Sequence, residues 1–458
     1  VGRFVAAQRD QVFLMPPDMR DWLPADHLAW FVVDVVGQLD LGPFERSYRA
    51  DGHGRPAYDP AVMVALLLYA YCTGVRSSRQ IERRCVEDVA FRVLAGGLSP
   101  DHVTIARFRA RHADAFAGLL VDSLRLCAQA GLVKVGLVAL DGTKMSANAS
   151  PDRNRTLEAI DKQVRDILAE AAALDAAEDA ENSGAGPADG QRVPSGLVDP
   201  TVRRRQLQAA RERLQGARDR LQAQADKRSD AFAARSEALN AARAAKGLPP
   251  RTYRPRKRDE APQPEATTNL TDPDSKMLIG RHGRVQGYNA QLVTTADQIV
   301  VAAEVCADAN DLEQLEPMVT ATRATLAAAG IPEPIGALVA DAGYWKAAHV
   351  DGSIPGLPEL YISPARHGRR GKPRQDGKPS ESRTTHLVEA MTARLSTPHG
   401  KHCLRVRRTT VEPVFGHTKH LRGMDTFSRR GMTAARQEWQ LIAATANLLK
   451  LHRAHRPQ

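Results

Sequence analysis

Gly136-Leu-Val-Ala-Leu-Asp141-Gly-Thr-Lys144 sets a short apolar run against an aspartate, and Ile335-Gly-Ala-Leu-Val-Ala-Asp341-Ala-Gly-Tyr344 repeats the arrangement further along the chain. Runs of this length suit strands buried on both faces and are too short for a core helix. An aspartate at the C-terminal end of such a strand stands at the rim of a sheet, held by a rigid element and facing a cleft. Either aspartate alone has an ordinary alternative, because a strand-end Asp before Gly often only closes an Asx turn.

A third carboxylate lies in Arg408-Thr-Thr-Val-Glu412-Pro-Val-Phe-Gly-His-Thr-Lys419. Arg408 precedes Glu412 by four residues and Lys419 follows it by seven, steps that fall within roughly a 60° arc of a helix. Pro413 disfavours helical backbone at the residue before it but is tolerated in a first turn. The helix is therefore expected to begin close to Val411, with Arg408 just outside it. Glu412 alone would read as a first-turn glutamate facing the helix dipole. If Asp141, Asp341 and Glu412 converge, their charges repel and raise one another's pKa unless cations neutralise them. Magnesium is the natural partner, being hard, oxygen-liganded and bound through carboxylates plus substrate phosphates. Two such ions about 4 Å apart serve an in-line phosphoryl displacement. Arg408 and Lys419 would then grip the phosphodiester, one as a planar fork and the other as a point charge.

Working outward, residues 1–132 read as a compact helical domain. Asp59-Pro60 opens a helix that runs through the apolar stretch Ala61–Cys72 to a stop at Gly74. Ser77-Ser-Arg-Gln80 has capping-box spacing and starts a basic helix over Gln80–Leu94. After a Gly/Ser/Pro turn, a short helix carries Arg107, Arg109 and Arg111, and another extends to Ala130. The pair suits a helix-turn-helix with those arginines facing DNA; the alternative is an ordinary bundle with solvated arginines.

Residues 133–150 hold the first strand of a core, which 151–265 interrupt. In that insertion Leu157, Ile160, Val164, Ile167 and Leu168 recur at helical spacing, and residues 178–200 read as a mobile loop. Leu207, Leu214 and Leu221 repeat every seven as a short coiled-coil or helical-hairpin signature. Arg251–Arg258 forms a basic linker. Residues 266–458 complete the core with a hairpin over 287–305, a helix over Asp311–Ala329, the Asp341 strand, a strand at Leu360–Ser363, a basic loop at 366–378, and closing helices. The sum is an α/β mixed sheet with a helical insertion, preceded by an all-α domain.

With 64 Lys+Arg against 53 Asp+Glu, the formal charge of +11 favours a polyanionic partner such as nucleic acid. Aromatics at 5% argue against a surface that reads single strands by stacking. The five cysteines form no C-x-x-C pair and fit reduced thiols in a cytosolic protein. The longest apolar stretch is too short to span a bilayer. Val1 in place of Met fits a fragment or a GTG start codon.

Taken together, Asp141-Gly-Thr-Lys144, Asp341-Ala-Gly-Tyr344 and Arg408-x3-Glu412-x6-Lys419 resemble the three motifs of the DDE transposases of bacterial insertion sequences. The basic helical N-terminus, the charged insertion and Thr271-Asp-Pro-Asp-Ser-Lys276 with Gln286-Gly-Tyr-Asn289 extend the resemblance over nearly the whole chain. It implies a ribonuclease H-like core, with Asp141, Asp341 and Glu412 binding two Mg²⁺ (Mn²⁺ substituting), and Lys144, Arg408 and Lys419 on phosphates. It further implies double-stranded terminal inverted repeats and target DNA as partners, a homodimer on DNA, no membrane, and a cytoplasmic, nucleoid-associated location. Arg405 stands where relatives often carry a tyrosine linked to handling the strand near the cut. Two other readings remain: a ribonuclease H-like nuclease without strand transfer, and a DNA-binding repressor with an inactive core.

Overall fold

The computed structural model describes residues 18–48, 56–182, 200–245, 247–255, 267–280, 283–364 and 385–455. The chain divides into two compact units, one of Val1–Thr143, Asn289–Ser428 and Thr433–Gln458, the other of Lys144–Tyr288 and Arg429–Met432.

In the first unit the N-terminal helices are α1 (Leu28–Val36), α2 (Pro60–Cys72), α3 (Ser78–Glu87), α4 (Val89–Leu94), α5 (His102–Arg111) and α6 (Ala113–Gln129). The caps explain the boundaries. Asp59 accepts from the Ala61 N–H with Pro60 at the first turn, and Gly74 takes φ 81° after the helix ends. The single helix expected over Gln80–Leu94 is broken at Asp88. That residue is extended (φ −111°, ψ 125°), and its carboxylate accepts from the Ala90 and Phe91 N–H groups, capping a new helix.

The sheet of this unit runs β6–β5–β1–β7–β8, where β1 is Leu137–Ser146, β5 is Gly283–Thr295, β6 is Val300–Cys306, β7 is Ala337–Ala340 and β8 is Glu359–Ile362. The pairs β1–β7 and β7–β8 are parallel, and the hairpin β5–β6 is antiparallel. All four residues of β7 are buried, as its unbroken apolar run requires of a central parallel strand. This is the mixed sheet of a ribonuclease H-like core. Helices α9 (Leu315–Ala328), α10 (Thr385–Ser396), α11 (Pro398–Gly416) and α12 (Met432–His455) surround it. Within the first unit α12 joins sheet and N-terminal helices. Asn447 accepts from the Val300 N–H at 2.7 Å and donates to the Val300 carbonyl at 2.9 Å, while its backbone carbonyl receives the Cys127 thiol. Trp439, almost wholly buried, donates its indole N–H to the Gln291 carbonyl at 2.9 Å.

Two helix boundaries differ from the sequence reading. Residues 311–314 are not helical, because α9 starts at Leu315 with Pro317 in its first turn. And α11 does not start near Val411: Thr397 caps it by accepting from the Gly400 N–H at 3.0 Å, Pro398 fills the first turn, and Pro413 lies inside the helix. Proline at 413 removes the donor for the Thr409 carbonyl. The Gln298 side-chain amide supplies one at 2.8 Å, so the helix passes through. Beyond Gly416 the backbone opens into a π-helical turn, His417–Leu421.

The second unit holds β2 (Asn154–Thr156) paired with β3 (Thr267–Asn269), and β4 (Lys276–Gly280) paired with the start of β5. Its helices α7 (Leu157–Asn182) and α8 (Pro200–Ala244) enclose Ile160, Leu214, Ala217 and Leu221, with Leu157, Val164 and Ile167 packed around them. Leu214 and Leu221 of the leucine repeat therefore serve a helix pair, with Leu168 left exposed; the Leu207 side chain lies outside the described residues. Asp272 and Asp274 serve as turn residues here, accepting from the Gly431 and Met432 N–H groups. The expected mobile loop begins at residue 178, yet 178–182 are helical; 183–199, 256–258 of the basic linker and the loop at 366–378 lie outside the described residues.

All five cysteines are free, and burial pushes the Cys72 and Cys127 thiols up to about 12. Among the described residues no helix is long and apolar enough to cross a membrane.

Candidate active site

Strand register brings the two aspartates together. β1 and β7 pair as Leu137↔Ala337, Val138↔Leu338 and Ala139↔Val339, so two further steps set Asp141 beside Asp341. Contrary to the sequence reading, Asp141 does not end its strand, since β1 continues through Ser146. β7 does stop, and Asp341 caps the turn Ala342–Tyr344 by accepting from the Gly343 N–H at 2.8 Å. Asp141 accepts from the Gly142 N–H at 2.8 Å. Burial pushes its carboxyl up to about 6, opposed by Arg407 and reinforced by the charges of Asp341 and Asp311.

Glu412 reaches this pair through Arg407, a residue the sequence reading passed over. The Arg407 guanidinium donates to Asp141 Oδ2 at 2.8 Å and lies 3.5 Å from Glu412 Oε1. The Arg407 and Asp141 side chains are 18% and 16% exposed, whereas Glu412 is 53% exposed. Neighbouring Arg408 is on the same helix as Glu412, four residues away, and is exposed. Lys419 sits half-buried on the π turn, where helical spacing no longer applies. His417, on the same turn, is held neutral: burial, then Arg422, Arg453 and Lys450, lower it to about 4. Lys144 lies on β1 but belongs to the second unit.

Asp311 is a fourth carboxylate that the sequence reading placed in a helix. Its Oδ1 accepts from the side-chain amides of Asn289 at 2.6 Å and Gln291 at 2.7 Å, both on β5. Gln291 in turn accepts from the Tyr344 hydroxyl. Burial, followed by the charges of Asp311, Asp141 and Asp341, raises that hydroxyl well above its ordinary pKa and keeps it a donor. Position 142 is tight, and a methyl group there would lie 2.4 Å from Gln291 Nε2 and 2.6 Å from Asp311 Oδ1, so these hydrogen-bonded side chains would have to shift. Trp345, in the motif after Asp341, is buried and packs.

The donors fit a hard divalent cation, since they are carboxylate oxygens joined by a buried, unpartnered amide carbonyl, Asn289 Oδ1. Among the described residues no three His, Cys, Asp or Glu side chains stand together as a metal site, and the Arg407 guanidinium lies between Asp141 and Glu412.

The N-terminal arginines divide by helix face. On α5, Arg107 and Arg111 are exposed, with Arg111 over the Tyr48 ring at 5.8 Å. Arg109 turns inward and donates to the Arg76 carbonyl at 2.6 Å. Arg76, Arg79, His102 and Arg107 line a groove of about 740 Å³.

Two family models match the chain: one described as a transposase domain (DUF772) over residues 17–111, the other as a transposase DDE domain over residues 264–448. Asp311, Asp341, Arg407 and Glu412 fall in the second match and Arg107–Arg111 in the first; Asp141 and Lys144 fall in neither. No curated protein and no solved structure matches.

Proposed function

Because the chain belongs to the DDE transposases of insertion sequences, we propose that it cuts DNA at the terminal inverted repeats of its own element and joins the freed 3′-hydroxyls to target DNA. Asp141, Asp341 and Glu412 form the metal-binding triad, holding two Mg²⁺, with Mn²⁺ able to substitute. The observation that supports this reading is the β1–β7 register, whose direction carries Asp141 and Asp341 to the same end of two paired strands, while Arg407 ties Asp141 to Glu412. A bound divalent ion there supplies Lewis-acid stabilisation of phosphoryl oxygens. The chain's own groups do the rest. Gly142 and Gly343 N–H groups orient the two aspartates, and buried Tyr344 fixes Gln291.

Lys144, Arg408 and Lys419 hold phosphates of the cleaved strand. The exposed position of Arg408 on the helix that bears Glu412 supports its part. Arg107 and Arg111 contact the repeat from α5, while Arg109 shapes the groove by fixing Arg76. A homodimer pairs the two element ends, and the protein works in the cytoplasm at the nucleoid.

The test is Mg²⁺-dependent cleavage of repeat-bearing DNA, followed by joining to a target plasmid. Asp141→Ala, Asp341→Ala and Glu412→Ala should each lower cleavage by about 10³-fold or more. Full activity in any one removes that residue from the triad. Cleavage without a joined product in the wild type makes the protein a nuclease.

A further inference from the structure

We propose that Asp311 and the Asn289 side-chain carbonyl form an additional pair of metal ligands beside Asp141 and Asp341, an inference that rests on the triad reading above. Asp311 meets both aspartate motifs at once. Its Oδ1 would lie 2.6 Å from a methyl group at Gly142, next to Asp141, and its Oδ2 3.4 Å from one at Gly343, next to Asp341. The absence of a side chain at Gly142 lets the Asp311 carboxylate come this close.

The acidic cluster alone would not define a ligand site; the Asn289 amide does. Asn289 is fully buried, and its Nδ2 is committed to Asp311. A carboxylate only accepts, so the amide nitrogen and not the carbonyl oxygen bonds it. That carbonyl, Oδ1, is buried without a hydrogen-bond partner and lies 3.1 Å from the position of a Gly142 methyl group, the same point that Asp311 Oδ1 approaches to 2.6 Å. A buried carbonyl left unpaired is destabilising. An oxygen-seeking cation held by Asp311 and this carbonyl would remove that cost. The second amide donor, from Gln291, and the Tyr344 hydroxyl behind it keep the Asp311 carboxylate in one orientation, as supports for a metal ligand do.

Asp311→Asn tests this cleanly, because its side-chain oxygen still accepts from Asn289 and Gln291 while the charge and the second oxygen are lost. Mn²⁺ binding to the DNA-free full chain, titrated by electron paramagnetic resonance, gives affinity and stoichiometry independently of catalysis. Asp141→Asn and Asp341→Asn serve as references, and circular dichroism checks the fold. We expect Asp311→Asn to weaken one Mn²⁺ site by tenfold or more, with Asp141→Asn also weakened. Wild-type affinity and stoichiometry in folded Asp311→Asn, with Asp141→Asn weakened, overturns the proposal and leaves the triad standing. Wild-type binding in both Asp141→Asn and Asp341→Asn overturns the triad and this proposal with it. Should Asp311→Asn not fold, Asn289→Ser is read in its place. It removes the orphan carbonyl, and several-fold weaker Mn²⁺ binding is expected; unchanged binding overturns the proposal.

Discussion

The strand-borne aspartates and the helix-borne glutamate are held in different ways. Asp141 and Asp341 sit side by side because two parallel strands share a register, and a one-residue slip would turn the alternating faces of β1 over. The strand backbones therefore place them. Glu412 stands half exposed on α11, one residue before a proline and one turn before the helix opens into a π turn. Its link to the aspartates is a single arginine side chain. Strand ligands are rigid by backbone, while the helix ligand is placed by a side chain that can leave.

The largest expected effect comes from changing reach rather than charge. Asp141→Glu and Asp341→Glu push a carboxylate about one methylene into a packed site, and both should be as inactive in DNA cleavage as the alanine variants. Glu412→Asp draws back from an exposed position and should keep activity about 10²-fold below wild type, the cost of roughly 1 Å of misplacement. Equal loss in all three would dissolve the distinction.

Next is Arg407. Removing one partner of a mostly buried pair leaves Asp141 uncompensated, at about 3 kcal/mol, the low end for a buried pair because both side chains keep some exposure. Arg407→Gln should therefore lower the melting temperature of the metal-free protein. Added Mn²⁺ should raise that temperature more in Arg407→Gln than in wild type, because the cation takes over the arginine's charge. An equal or smaller rise in the variant would mean that the arginine and the ion do not compete.

The same contrast governs what could be read from the sequence. Apolar runs before Asp141 and Asp341 mark buried strands, so the sheet and its two aspartates were legible without coordinates. The register itself was not, since no local pattern specifies which residues of two distant strands pair. Asp311 was hidden because acidic and alanine residues before Leu315 continue a helical composition; Pro317, tolerated in a first turn, is the signal that moves the start past Asp311. Arg407 had no local signal at all. Spacing from Glu412 favours Arg408, and only the position of Asp141 in the folded sheet selects its neighbour. At Pro413 the local rule was applied correctly and overridden by a distant side chain, Gln298.

That override carries the smallest expected effect. Gln298 is the non-glycine residue with positive φ among those described, at 64°, and it sits in the β5–β6 turn. Its amide closes the gap that Pro413 leaves at Thr409, and its carbonyl receives Lys450 from α12. Gln298→Ala keeps the strained backbone and loses both bonds, so it should cost about 1 kcal/mol in denaturant unfolding, limited because the Thr409 carbonyl can take water instead. Gln298→Gly loses the same bonds but relieves a left-handed conformation that costs other residues about 1 kcal/mol, so it should fall close to wild type. If the two variants are equally destabilised, the bonds dominate and the turn is unstrained. If Gln298→Ala also lowers DNA cleavage beyond its loss of folded protein, the side chain that carries α11 past Pro413 also sets where Glu412 stands.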